Sequence, residues 1–134
     1  MRRHDNWPTL LVAFIEERRH APFAWGSNDC CLFAADWIRR ACGVDFAEGL
    51  RGTYDSALSA ARVLRNQGGV FDLAALRAGL ERKPVELVQR GDVVGFEVPG
   101  GVALGVCLGS VGAVVGATVL EFPDMTRACA AWKV

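Results

Sequence analysis

A cysteine able to act as a nucleophile stands in the stretch Phe23-Ala24-Trp25-Gly26-Ser27-Asn28-Asp29-Cys30-Cys31-Leu32-Phe33, where an aromatic-glycine loop runs into an amphipathic segment. A thiol at a helix N-terminus feels unpaired N–H groups and the positive end of the helix dipole, both of which favour thiolate. Asn28 is a good N-cap, which makes Asp29 the first helical residue and Cys30 the second. Cys30 is therefore expected to be the most reactive of the five thiols, the only one placed at a helix start. A nucleophile also needs a base that takes its proton and returns it to the leaving group. The opposing reading is that Cys30 is a small buried hydrophobe, as Cys31 beside it is expected to be. Asp29 either favours the helix dipole or, as a neighbouring carboxylate, opposes thiolate formation.

The elements that would position this thiol follow from the hydrophobic pattern. Trp7, Leu10, Leu11, Phe14 and Ile15 share one face of a helix with Pro8 in its first turn, ending before Pro22. The second helix begins near Asp29, keeps Phe33, Ala34, Trp37, Ile38 and Ala41 at helical spacing, and stops at Gly43. A loop with Gly49 and Gly52 leads to a third helix from Tyr54 to Gln67 and a fourth from Asp72 to about Glu81. Beyond Pro84 the period changes to alternation. Strands are expected over Asp92 to Val98, Val102 to Leu108, Gly112 to Val115, Thr118 to Phe122 and Arg127 to Val134. Helices first and strands second, without βαβ alternation, predict one α+β domain over residues 1–134, with the helices on one side of a meandering antiparallel sheet. The closing Cys129 to Val134 is expected to be a sheet strand rather than a loose tail.

The 134 residues carry fifteen basic and fifteen acidic side chains, so no basic footprint points to nucleic acid or anionic lipid. Cysteines 30, 31, 42, 107 and 129, with His4 and His20, lack the paired spacing of a zinc site, and no metal or other cofactor is expected. Glu16, Glu17, Arg18 and Arg19 interrupt any signal-type apolar run. Reduced thiols in a bacterial or host cytosol are the default. Val102 to Leu120 contains no charged residue, yet acidic flanks and the alternation of Val102, Leu104, Val106 and Leu108 argue for two strands rather than a membrane span.

The order of motifs resembles the NlpC-type papain-like cysteine peptidases. The matching features are the Trp-Gly loop before Asp29-Cys30, the turn Arg90-Gly91-Asp92-Val93-Val94 into a strand, and the strand closing Gly105-Val106-Cys107-Leu108-Gly109. Within that superfamily the chain is similar to a small family encoded among phage and prophage tail genes, which shares the Trp-Gly-x-x-Asp-Cys start and a closing Ala-Trp-Lys/Arg-Val like Ala131 to Val134. The resemblance covers residues 23–134. It implies a papain-like fold in which Cys30 is the nucleophile position and a strand histidine is the base, and it places Ala103 where that histidine would stand. His4 and His20 lie in or before the first helix, off the sheet. Two functions follow. The first is a catalytically degenerate structural or assembly part of a phage tail tip, working with hub or fibre proteins in the virion tail after assembly in the host cytoplasm. The second is an active peptidase or amidase on peptidoglycan with an unconventional base. A thiol redox or acyl-carrier role has only Cys30-Cys31 behind it, and adjacent cysteines rarely bridge without strain.

Trp25, Asp29, Asp92 and Trp132 are the candidate binding residues around this site. Each also has a structural reading. Trp25-Gly26 fixes a tight loop, the two aspartates cap or bond backbone near element starts, and Trp132 anchors packing or an interface. Arg90-Gly91-Asp92 matches a cell-adhesion tripeptide, but a turn into a strand explains it better.

Overall fold

Pro8 sits in the first turn of α1 (Trp7–Arg18), where its missing N–H costs nothing, and Leu11, Phe14 and Ile15 are the buried face. The computed structural model describes residues 2–66, 80–99 and 101–134. Helix α2 (Cys30–Cys42) is buried along most of its length and ends at Gly43, whose φ of 76° closes the helix in the left-handed conformation. Its N-cap is Asp29, not Asn28, which moves Cys30 from the expected second helical position to the first. Asn28 instead donates through Nδ2 to the carbonyls of Ala21 and Pro22 and so ties down the incoming loop.

Helix α3 (Ala57–Asn66) begins three residues later than the hydrophobic pattern predicts. Ser56 stops it, because its Oγ accepts the N–H of Ser59 at 3.1 Å and caps the first turn. Tyr54 is thereby left outside the helix and buried. The expected fourth helix falls outside the described residues except at its end, where Glu81 opens a strand instead.

The described strands make a six-stranded antiparallel sheet in the order β1-β6-β2-β3-β4-β5. They are β1 (Glu81–Lys83), β2 (Val93–Val98), β3 (Gly101–Cys107), β4 (Gly112–Val115), β5 (Leu120–Glu121) and β6 (Ala128–Lys133). Strands β2 to β5 form the expected meander. The closing strand β6 is an interior strand, inserted between β1 and β2, because the three-residue β1 covers its outer edge.

Helix α2 packs on β3 and β4, and α1 packs on α2. Val93, Leu104, Val106, Ala113 and Trp132 face the helices in one apolar cluster with Phe14, Phe33 and Trp37. The Phe14 ring lies 5.0 Å from Phe33 and 5.8 Å from Trp37. Val94, Phe96, Cys107, Val114 and Ala131 form a second cluster on the other face of the sheet. No described helix is long and apolar enough to cross a membrane, and the uncharged run from Val102 onward is spent on strands.

Candidate functional site

The start of α2 is built around the Asp29 carboxylate, which is 2% exposed. Oδ1 accepts the Leu32 N–H at 3.0 Å, satisfying one of the donors a helix start leaves open. Oδ2 accepts the Gly26 N–H at 3.0 Å and the Tyr54 hydroxyl at 2.7 Å. One side chain thus gathers the Trp-Gly loop, the first turn of α2 and the segment before α3. Burial and the adjacent Asp29 charge push the Tyr54 hydroxyl far above the ordinary tyrosine range, so it stays a donor.

Gly26 is required by two features of this junction. Its φ is +81°, and a Cβ there would stand 2.0 Å from the Tyr54 carbonyl oxygen. Its own carbonyl accepts the Gly52 N–H at 2.9 Å. Trp25 remains exposed, its ring edge-on to Phe23 with centroids 4.8 Å apart. Gly26 and Asp29 of the Trp-Gly-x-x-Asp-Cys pattern therefore have a structural explanation, in which the glycine admits a neighbouring backbone and the aspartate fastens it.

Cys30 sits in the first turn of α2, half-buried and packed against the helix-side core. Burial pushes its thiol up, the Leu104 N–H on β3 pulls the other way, and the Asp29 charge adds to the rise. The expected lowering by the helix start is overturned: desolvation and an adjacent carboxylate outweigh the N–H groups of Leu104, Cys31 and Cys30. At neutral pH this side chain is a thiol. Among the other cysteines, burial also raises Cys42 and Cys107, while Cys129 is exposed on β6.

No imidazole is among the groups that set the acidity of Cys30. The His4 N–H bonds the Ala41 carbonyl, at the opposite end of α2 and about 16 Å along the helix from Cys30. His20 is exposed after α1. Ala103 faces away from Cys30 altogether. It pairs with Phe96 on β2 and lines the groove on the far side of the sheet with Val114, whereas Leu104 and Val106 face α2. Strand parity puts Val102 with Leu104 on the helix side, so the β3 positions presented to Cys30 are apolar.

Asp92 is a second buried carboxylate on a separate node, 1% exposed. Oδ1 accepts from Arg3 Nη2 at 3.0 Å and from the Val134 N–H at 3.1 Å. Oδ2 accepts from Lys83 Nζ at 2.7 Å and the Gln89 N–H at 2.8 Å. Arg3 also donates to the carbonyls of Val134 and Arg90, and its guanidinium lies 4.2 Å from the Trp7 ring. Gly91 has φ of +92° and its carbonyl accepts Trp37 Nε1 at 2.8 Å. Arg90-Gly91-Asp92 is thus the anchor of both ends of the described chain and of β1, with its aspartate inaccessible to an adhesion receptor.

Trp132, expected to be either an anchor or an interface residue, is an anchor. It is 2% exposed in the helix-side core, with the Arg82 guanidinium 5.0 Å from its ring. Of the candidates, Asp29 and Trp25 join Cys30 at the α2 start, while Asp92, Trp132 and Ala103 do not. Sequence reasoning missed Tyr54, Arg3 and Lys83. For Tyr54 there was one signal, as the sole tyrosine of the chain, placed just beyond Gly49 and Gly52. Among the described residues no cluster of His, Cys, Asp and Glu could hold a metal ion.

Residues 2–134 match a protein family described as Domain of unknown function (DUF6950), and the chain belongs to that family. No curated protein matches it.

Proposed function

We propose, with membership of this family as the premise, that the chain is a non-catalytic phage tail tip or tail assembly protein built on a degenerate NlpC-type papain-like domain. The observation that carries the non-catalytic part is Cys30 itself, a half-buried thiol whose pKa burial raises, with no imidazole among the groups that shift it. Amide hydrolysis through it would lack both the proton acceptor for attack and the proton donor for the leaving amine. Asp29 supports the same reading, since its carboxylate is committed to three donors of the fold. The helix-on-antiparallel-sheet arrangement with a cysteine at a helix start is the support for the NlpC-type fold. Assignment to a tail rests on the resemblance carried by Trp25 to Cys30 and by Ala131 to Val134.

Two experiments test this. The purified chain should give no turnover of peptidoglycan stem peptides or of small amide and thioester probes. Turnover that vanishes in Cys30→Ser overturns the non-catalytic reading. The protein should also be found by mass spectrometry in tails or tail-assembly intermediates of the encoding phage, and deleting its gene should stop tail completion. Normal infectious particles without the gene would remove the tail role.

The alternative, an active peptidoglycan peptidase or amidase, draws on one feature. The Leu104 N–H aimed at the Cys30 sulfur, with the N–H groups of the first helical turn, favours the thiolate as a nucleophile needs. It requires an unconventional base, since no imidazole is among the groups that shift the Cys30 thiol.

A further inference from the structure

Helix α1 is apolar on both of its faces. From Trp7 to Ile15 it carries no charge, and Thr9 is its one hydroxyl. Leu11, Phe14 and Ile15 are spent on the core, yet Pro8, Val12 and Ala13 are exposed, Val12 by 55%. Pro8, Val12 and Glu16 follow one another at a spacing of four, so the outward stripe is apolar for two turns and acidic at the next. The outer face of a surface helix is ordinarily polar, and a helix that is apolar all round is ordinarily covered.

Arg90, in the turn before β2, lies alongside this stripe. It lines a hollow of about 480 Å3 with Pro8, Thr9, Val12 and Ala13, and a second of about 160 Å3 with Ile15, Glu16 and Leu108. Its guanidinium is 5.8 Å from the centre of the Trp7 ring, toward the N-terminal end of α1, and makes no ion pair among the described residues. Glu16 stands toward the other end with Arg19 at 3.9 Å, an exposed pair of little strength. The apolar strip thus has an unpaired cation beside its N-terminal half and a loosely held carboxylate on its C-terminal half.

We propose that this strip of α1 is a self-association surface, meeting the same strip of a second copy of the chain across a two-fold axis near Val12. Antiparallel pairing sets Val12 against its own counterpart and brings Arg90 of each copy to Glu16 of the other. A parallel pairing would set like charges together, which is costly. A surface whose two halves carry opposite charge is complementary to itself, and this selects a second copy as the occupant. Three turns of helix with their flanks bury less than about 1,200 Å2, so the dimer is weak, with a dissociation constant on the order of 10–100 µM. The surface uses neither Cys30 nor Asp29, and the proposal holds whether or not the chain is catalytic.

Sedimentation equilibrium of the full chain from about 1 µM to about 1 mM brackets that range, and the parent should pass from monomer to dimer across it. Val12→Lys should weaken the dimer at least about tenfold, because each introduced charge meets its own copy at the axis. The melting temperature of the dilute variant should stay that of the parent, since Val12 is outside the core. Arg90→Glu and Glu16→Arg should each dimerise at least about fivefold more weakly, the scale of two exposed charge pairs turned repulsive. An equimolar mixture of these two variants should recover the parent's association, because every charge pair in the mixed dimer is again of opposite sign. The proposal is overturned by a parent chain that stays monomeric at about 1 mM, by a dimer indifferent to Val12→Lys, or by a mixture no tighter than its two components. A monomer that binds phosphatidylcholine vesicles, and loses them in Val12→Lys, would assign the strip to a lipid surface and overturn it as well.

Discussion

Asp29 and Asp92 are equally buried, and their surroundings differ in kind. Asp29 is held by two backbone N–H groups and a tyrosine hydroxyl, Asp92 by two backbone N–H groups and two cations, Arg3 and Lys83. Neutral donors solvate a carboxylate without cancelling its field, whereas cations cancel it. Asp29 therefore gathers a loop, a helix start and Tyr54 while still raising the thiol of Cys30 next to it. Asp92 gathers three distant segments and sets a cation against each of its two oxygens. A helix-capping carboxylate that suits the fold is thus a poor neighbour for a cysteine nucleophile.

The largest effect that would sharpen this contrast is expected at Asp92. Asp92→Ala strands Arg3 and Lys83, side chains only 14% and 16% exposed, without their counter-charge. A loss of about 3–5 kcal/mol is expected, the usual cost of breaking a buried pair by removing one partner. Urea denaturation measures it, and a loss below about 1 kcal/mol would mean the node is not a latch. Asp29→Asn should cost less, about 1–3 kcal/mol, because asparagine still caps α2 but turns an NH2 group toward one of the donors Asp29 accepts. Equal losses at the two sites would erase the distinction between neutral and ionic partners.

A third test is alkaline titration of stability. Burial raises Cys30, Cys42, Cys107 and Tyr54 above their ordinary values, so each holds its proton more tightly folded than unfolded. Their contribution is complete below the unfolded values, about 8.5 for the thiols, and is lost as pH rises through the folded ones. Stability should fall from about pH 8.5 upward, and Cys30→Ala should flatten part of that fall. A flat profile to about pH 10 in the parent chain would contradict the burial of these thiols.

The smallest effect concerns thiol reactivity at neutral pH. Timed alkylation with peptide mapping should label the exposed Cys129 before Cys30, the reverse of the order expected from helix position alone. Asp29→Asn should speed Cys30 labelling slightly, because burial, the larger cause of its raised value, is unchanged. Cys30 reacting first would restore the case for an activated nucleophile.

Elements with strong periodicity were readable from the residues. The strand boundaries of β2, β3, β4 and β6 fall within one residue of the alternating runs, and Gly43 ends α2 where a left-handed cap is needed. The strand β1 was not readable, since Glu81-Arg82-Lys83 has no apolar alternation and exists by pairing with β6. The N-cap was misplaced by one residue because Asn and Asp cap comparably well, and the choice fell to Asp29 when Gly26 and Tyr54 came within reach. The Ala103 position depended on which face of β3 the helices cover, and a step of one residue along a strand reverses the face.

The sequence by itself determined the helices-then-strands order, the cysteine at the start of α2 and the apolar closing strand, because these follow from short-range pattern and capping chemistry. Only the tertiary structure decided the state and company of the reactive groups. Asp92 meets Arg3 across 89 positions of chain, Asp29 meets Tyr54 across 25, and the Cys30 sulfur meets the Leu104 N–H from another element. Whether a thiol at a helix start is lowered or raised depends on desolvation and on neighbouring charge, and both are set by what packs over it.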